Sequence, residues 1–320
     1  MSGKNIFIST FALAIMIMSS GLVAGSPFVP LPSKAPVPAD NPQTATKIIL
    51  GKMLFFDPRL SNSKWISCAT CHNPSLGFTD RIPRAFGHKM SEGPRNTPTI
   101  LNAAFLDVQF WDGRAKTLEE QALGPIQAGV EMNDTLENVV KKLQGVPEYR
   151  KLFAQVFGAT NPITAQNVGK AIAAFERTII TPDSPYDRYL KGDKKALSKD
   201  AVAGMKLFSG KGCVACHNGP ALSDSRFHKI QIPGSTDQGR FNVTKNEQDR
   251  HAFRTPTLRN VALTHPYFNN GSVESLREAV QVMGKTALNT TVNDEDARLI
   301  EAFLVSTTGK MPKIDYPLLP

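Results

Sequence analysis

All four cysteines of this chain fall in two copies of one pattern, Cys68-Ala69-Thr70-Cys71-His72 and Cys213-Val214-Ala215-Cys216-His217. C-x-x-C-H is the attachment signal for a c-type haem. Its two thiols add across the porphyrin vinyl groups, and the adjacent histidine is held beneath the iron as an axial ligand. Three other chemistries use the same residues. Two C-x-x-C pairs can hold zinc in a tetrahedron of thiolates, but zinc does not require a histidine directly after each pair. A thioredoxin-type redox site wants one pair in a strand-helix unit, not two. Exported proteins form disulfides, yet cysteines this close are poor structural staples. Two covalent haem c groups are the expected cofactors.

Haem attachment needs reduced thiols in a compartment with the attachment machinery, and the N-terminus agrees. Lys4 gives a weak positive start, and residues 6–18 are apolar apart from Ser9 and Thr10. Ala24-Gly25-Ser26 then supplies the small residues of a signal-peptidase site. The apolar run is short for a membrane span. Residues 1–25 are therefore expected to be a cleaved signal peptide, with the mature protein soluble and periplasmic. The formal charge is +9, but no run of five or six Lys/Arg occurs. Without a basic stripe or a known reader motif, nucleic-acid binding is not expected. A diffuse positive surface suits steering of an acidic protein partner.

At 320 residues the chain has room for two domains, and 41% hydrophobic residues can build real cores. Residues 26–40 carry Pro27, Pro30, Pro32, Pro36 and Pro38, which predicts an extended, solvated leader. Helical spacing follows over 44–55, over 136–157 with breaks at Gly145 and Pro147, and over 165–179, 198–208 and 295–304. Strand signals are weak and short, so the fold class is mainly α. The chain also repeats itself. Gly51-x-x-Leu54-Phe55 precedes the first haem motif and Gly204-x-x-Leu207-Phe208 the second. Thr97-Pro98-Thr99 with Asn102 recurs as Thr255-Pro256-Thr257 with Asn260, and Gly113, Leu118 and Glu120 recur as Gly271, Leu276 and Glu278. Both sets share one offset of 158 residues, which suggests duplication. Two cytochrome c-like domains are expected, 41–184 and 185–320, one haem each. The boundary falls in the helix-breaking run Thr181-Pro182-Asp183-Ser184-Pro185.

With His72 and His217 each on one iron, the sixth ligand decides the chemistry. A thioether raises the potential and makes an electron-transfer haem, whereas an open position binds peroxide. Among the methionines beyond residue 25, Met283 is the best ligand candidate. It ends an amphipathic segment, 275–282, is followed by Gly284, and lies well downstream of His217. The first domain offers His88 in the loop Phe86-Gly87-His88, where a ligand can move away. A loop histidine is more often an ordinary surface residue, and the alternative for Met283 is a core methionine. Breaking the peroxide O–O bond needs a group that moves a proton between the two oxygens. Glu131, with Gln121 nearby in sequence, is a candidate of low specificity on spacing alone.

At this point the chain resembles the bacterial di-haem cytochrome c peroxidase family, from about Pro36 to the C-terminus. The matching segments are Leu54 to Arg59, Cys68 to Pro74, Gly93 to Asn96, Phe110 to Ala115, Gly124-Pro125-Ile126 with Glu131-Met132, and Thr255 to Asn260. The resemblance implies that His72 is the proximal ligand of a low-potential peroxidatic haem and His88 its removable distal ligand. It implies Glu131 as the acid/base with Gln121 beside it, and His217 and Met283 as ligands of the high-potential haem. Trp111 would lie between the haems. Asn96, with the backbone carbonyls of Thr264 and Pro266, would hold calcium. The implied reaction reduces hydrogen peroxide to water with electrons from a mono-haem cytochrome c or a cupredoxin, in a homodimer. One departure stands out. Asn269 follows Tyr267-Phe268 where the family has histidine, at a contact near the high-potential haem or the donor route.

Two rivals remain. Relatives that oxidise tryptophan side chains of another protein carry tyrosine where Met283 stands, so Met283 disfavours that activity. A pure electron carrier or sensor would keep both irons six-coordinate, which His88 on a loop and the Glu131 segment disfavour.

Overall fold

The structure, a computed structural model, describes residues 26–320. The expected signal peptide, 1–25, lies outside the described residues. Seven helices of nine or more residues carry the fold: α1 Ala45–Phe56, α2 Leu136–Gln144, α3 Pro147–Phe157, α4 Ala165–Glu176, α5 Lys199–Gly210, α6 Leu276–Leu288 and α7 Asp294–Val305. Six of them start where a small polar side chain accepts an otherwise orphaned amide. These caps are Thr44, Thr135, Thr164, Ser198, Ser275 and Asn293. The seventh, α3, starts with Pro147 at its first position, where a missing N–H costs nothing. Two three-residue strands, β1 Phe227–Lys229 and β2 Ala252–Arg254, pair antiparallel with Phe227 opposite Arg254.

The buried apolar residues form two large clusters. One joins α1 through α4 around Leu54, Phe55, Phe153 and Phe175. The other joins α5 through α7 around Phe208, Ile300 and Phe303. Each has a helix crossing that only glycine permits. A Cβ on Gly51 of α1 would stand 1.8 Å from the Ala171 carbonyl oxygen of α4, and one on Gly204 of α5 would stand 1.8 Å from that of Leu299 on α7. The crossings bring Phe55 against Phe175 at 5.2 Å and Phe208 against Phe303 at 5.3 Å between ring centroids. Gly204→Ala forces the second crossing apart. It should cost about 1–3 kcal/mol by overpacking, read as a lower urea midpoint of the holoprotein.

The halves meet at Thr181, whose Oγ1 accepts from Asn102 Nδ2 at 2.9 Å and from Asn260 Nδ2 at 2.6 Å. Both asparagines have positive φ, +61° and +60°, and each precedes a 3-10 turn. Across the junction Asn96 N donates to Asn269 O and Arg254 N to Trp111 O, both at 2.8 Å. Residues 96 and 254, like 111 and 269, stand 158 apart, so the two contacts mirror each other.

Two expectations are corrected. The leader 26–40 is extended but not solvated throughout. Leu31 is buried, its amide donates to Asp187 Oδ1 at 2.8 Å, and Phe28 packs edge-on to Tyr186 and Phe303. Burying Leu31 alone is worth about 1.5–3 kcal/mol, enough to hold an otherwise polar-backboned segment down. The C-terminal tail makes the reciprocal crossing, with Tyr316 against Phe56 and Met311 and Ile314 on the first core. Secondly, the segment bearing Met283 does not end there. Helix α6 runs on to Leu288, because Gly284 is a packing glycine: its Cβ would stand 2.4 Å from Val292 Cγ2.

Candidate functional site

Both C-x-x-C-H motifs sit on single helical turns that present their histidine inward. Cys68–Cys71 is one α-turn capped by Ser67, and Cys213–Ala215 is a 3-10 turn. His72 Nδ1 lies 3.1 Å from Phe78 O, and His217 Nδ1 lies 3.1 Å from Leu222 O. A carbonyl only accepts, so each Nδ1 carries the proton and each Nε2 keeps a lone pair for a metal. The two acceptor residues, Phe78 and Leu222, both have positive φ, which turns their carbonyls onto the rings. Burial pulls both imidazoles down, His217 to about 4, so both are neutral, as a ligand must be.

All four thiols are free. Burial pushes each up, Cys71 to about 12 and Cys213 to about 11. They do not gather as a zinc tetrahedron. Among the described residues the one cluster of three His, Cys, Asp or Glu side chains close enough to share a metal is Cys216 with Asp224 and His228. Cys213, Cys216 and His217 open instead into an apolar cavity of about 360 Å³ whose lining includes Met283, Trp111 and Arg254. A mostly apolar cavity lined by two cysteines, a neutral histidine and a methionine fits a covalent haem.

Close to the first motif lie His88, Glu131 and Gln121. Residues 85–93 form a small hairpin, closed by Gly93 N to Ala85 O and Gly87 N to Ser91 O, with Lys89 and Met90 at positive φ on its tip. His88 N donates to Glu131 O at 2.8 Å. That approach needs Gly87, since a Cβ there would meet Val130 O at 2.0 Å. The His88 ring is half-buried, and its Nδ1 is buried without a partner among the described residues. Burial raises the Glu131 carboxyl above its ordinary range, with Arg114 pulling modestly the other way. The turn carrying Glu131 is knitted by Glu131 N to Ala128 O, Met132 N to Pro125 O and Asp134 N to Ile126 O. Gln121 closes the helical turn Leu118–Gln121 and is half-buried. Phe110, at φ +68°, slides its ring under Gly124 and lies beneath the Arg114 guanidinium at 3.5 Å.

Trp111 Nε1 donates to Asn96 O at 3.0 Å, which ties it to the junction between the halves while its side chain lines the second cavity. Asn96, Thr264 and Pro266 line that cavity too. Asn269, where histidine was expected, is buried, and its Nδ2 donates to Ser235 Oγ and Asp237 Oδ2 at 3.2 Å each. Asp237 in turn pairs with Arg95, which also holds Asp112. An amide therefore serves this position as a donor to an acidic network.

A family model described as di-haem cytochrome c peroxidase matches residues 45–195. The cytochrome c551 peroxidase of Nitrosomonas europaea is 45% identical over 97% of this chain and 93% of its own. This chain belongs to the di-haem cytochrome c peroxidase family. The cytochrome c551 peroxidase of Pseudomonas aeruginosa is 46% identical over 93% of this chain and 88% of its own. The methylamine utilization protein MauG of Methylorubrum extorquens is 46% identical over 78% of this chain and 71% of its own. Among solved structures, a MauG-like protein associated with microbial copper homeostasis superposes with a TM-score of 0.78 at 30% identity, over 88% of this chain and 95% of that one.

The family's haem c is thus expected on both motifs. Sequence reasoning missed Glu176, which ends α4 fully buried. Burial pushes its carboxyl up to about 8, and its Oε2 has no partner among the described residues. Nothing in a lone helical glutamate marks this, because burial is set by the fold and not by local sequence.

Proposed function

We propose that this chain reduces hydrogen peroxide, H2O2 + 2 e⁻ + 2 H⁺ → 2 H2O, with electrons delivered singly by a c-type cytochrome or a cupredoxin. The observation that carries this reading is the Glu131 corner. A half-buried glutamate whose carboxyl is held above its ordinary range by burial is bonded through its backbone to a turn whose imidazole Nδ1 has no partner among the described residues. A bound haem supplies the redox equivalents and the place where peroxide sits. Glu131 takes a proton from one peroxide oxygen and returns it to the other. Gln121 is assigned beside it, to support the acid/base with its amide. His88 would be a removable ligand of the first haem, released when its hairpin moves, and its amide bond to Glu131 O ties that hairpin to the Glu131 turn.

His217 and Met283 are assigned to the second, electron-accepting haem, and Trp111 to the path between the haems. The matched glycine crossings, the mirrored Asn102 and Asn260 and the shared 158-residue offset support two duplicated domains with one haem each. Calcium is assigned to Asn96 Oδ1 and the carbonyls of Thr264 and Pro266, a hard oxygen set in which none accepts a hydrogen bond among the described residues. Export to the periplasm follows from the haem motifs, and exposed Phe86 and Met90 beside His88 give a homodimer an apolar face to bury.

The test is peroxide turnover by the holoprotein, fully oxidised and then half-reduced. Activity after one-electron reduction supports the reading, and no activity in either state overturns it. His88→Gly is expected to turn over peroxide without prior reduction. A variant that still needs reduction would remove His88 from the switch.

A further inference from the structure

Arg254 ends β2 with only 4% of its surface exposed. The other two buried arginines have carboxylates, Arg259 pairing with Asp187 and Arg177 with Glu119, and half-buried Arg95 pairs with Asp112 and Asp237. Arg254 forms no ion pair among the described residues. Its Nε donates to Phe110 O at 3.1 Å and its Nη1 to Thr255 O at 2.9 Å, while no acceptor among the described residues takes Nη2. Burial, with no charge to oppose it, pulls the guanidinium down to about 10. An unpaired buried cation is among the most costly features a fold can carry. Here the cost has a direction, because Arg254 lines the cavity into which Cys213, Cys216 and His217 open.

The mirror relation of the halves sharpens this. Position 96, the counterpart of 254, is the neutral Asn96. Only the second half keeps a fixed positive charge at this point, facing its own cavity.

We infer that Arg254 is the counter-ion of a carboxylate on the second haem, its free Nη2 edge taking a propionate of the group held by Cys213, Cys216 and His217. The partner is a carboxylate carried by an apolar ligand, since the rest of the cavity wall is mostly apolar. Through Phe110 O and Trp111 O the same residue fixes that propionate to the first half. A cation beside the propionate cancels negative charge that would favour the ferric state, so Arg254 makes the second haem easier to reduce. The inference rests on haem in the second cavity and not on peroxide as substrate.

The experiment compares Arg254→Gln and Arg254→Lys holoproteins with wild type by spectroelectrochemical titration of both haems, after haem is counted by pyridine haemochromogen. Glutamine keeps a donor and loses the charge, whereas lysine keeps the charge. The glutamine variant should shift the second haem's reduction equilibrium about tenfold toward ferric, a drop of about 59 mV for a one-electron couple. The lysine variant should retain most of the wild-type value, and the first haem should move less. An unchanged potential in the glutamine variant, or equal shifts with glutamine and lysine, overturns the inference. If the glutamine variant does not fold, a wild-type holoprotein crystal structure decides it. A propionate oxygen within hydrogen-bond reach of Nη2 supports the pairing, and both propionates out of reach overturn it. A wild-type count of one haem per chain would instead overturn the second haem itself.

Discussion

Glu131→Gln is expected to lower peroxide turnover by about 10²–10⁴-fold, the usual contribution of a positioned acid/base. Glutamine has nearly the same shape but can neither take nor return a proton. The change leaves the neighbourhood in place, because His88 N is bonded to the backbone oxygen of residue 131 and the turn is held by main-chain bonds. Both haems should stay attached, and the visible spectrum of the oxidised form should match wild type. Burial holds the carboxyl above its ordinary range, so the acid limb of the wild-type kcat/KM profile should lie above the pH of a free carboxylate. That limb should vanish in the variant. A loss of less than tenfold, with the limb intact, would sink Glu131 as the proton carrier.

What the sequence disclosed and what it hid divide along the range of the interactions. The helix starts were legible because Thr44, Thr135, Thr164, Ser198, Ser275 and Asn293 act on amides three residues away. The haem attachment turns were legible because five consecutive residues carry the chemistry. The amphipathic segment was read as ending at Met283 before Gly284, and glycine does cost a helix about 1 kcal/mol relative to alanine. The real setting of Gly284, pressed against Val292 from beyond the helix end, is a tertiary fact. The leader was read as solvated from its prolines, and Leu31 was overlooked because its partners lie more than 150 residues away. Arg254 was invisible for a related reason. Any arginine in a string is presumed solvated, and only the fold puts this one inside without a carboxylate. His88, Glu131 and Gln121 were candidates of low specificity on spacing until a resemblance gave them roles, and the structure adds a contact that neither contained, His88 N to Glu131 O.

Asp187→Asn should be the most destabilising single isosteric change in the second half, at about 3–5 kcal/mol, the cost of leaving a buried charge unpaired. Both side chains of the Arg259–Asp187 pair are fully buried and lie 2.7 Å apart. Asp187 Oδ1 accepts from Arg259 Nη1 and Leu31 N, and Oδ2 accepts from Ser184 N and Oγ. Every partner is a donor, so an amide placed either way puts its NH2 against N–H groups. Arg259 meanwhile spends its other nitrogens on Pro220 O and Val29 O, and it lies over the Tyr186 ring at 4.8 Å. The pair therefore joins the leader, the helical turn Pro185–Leu190 and the segment after β2 at one point. Burial alone would raise the Asp187 carboxyl, but Arg259, the Leu31 amide and Ser184 together hold it below the ordinary range. A depressed carboxyl stabilises the fold above the unfolded value of about 3.9 and loses that contribution as pH falls through the folded value. Urea unfolding of the wild-type holoprotein should thus show a step of lost stability below about pH 4, and the variant should lack that step because it has already lost it. A double change, Asp187→Leu with Arg259→Met, removes both charges and should recover more than half of the loss, since an apolar pair can replace a buried ion pair at little cost. If the single variant unfolds within about 1 kcal/mol of wild type, water or a rearranged leader has taken the place of the carboxylate, and the joint is not the clasp proposed for it.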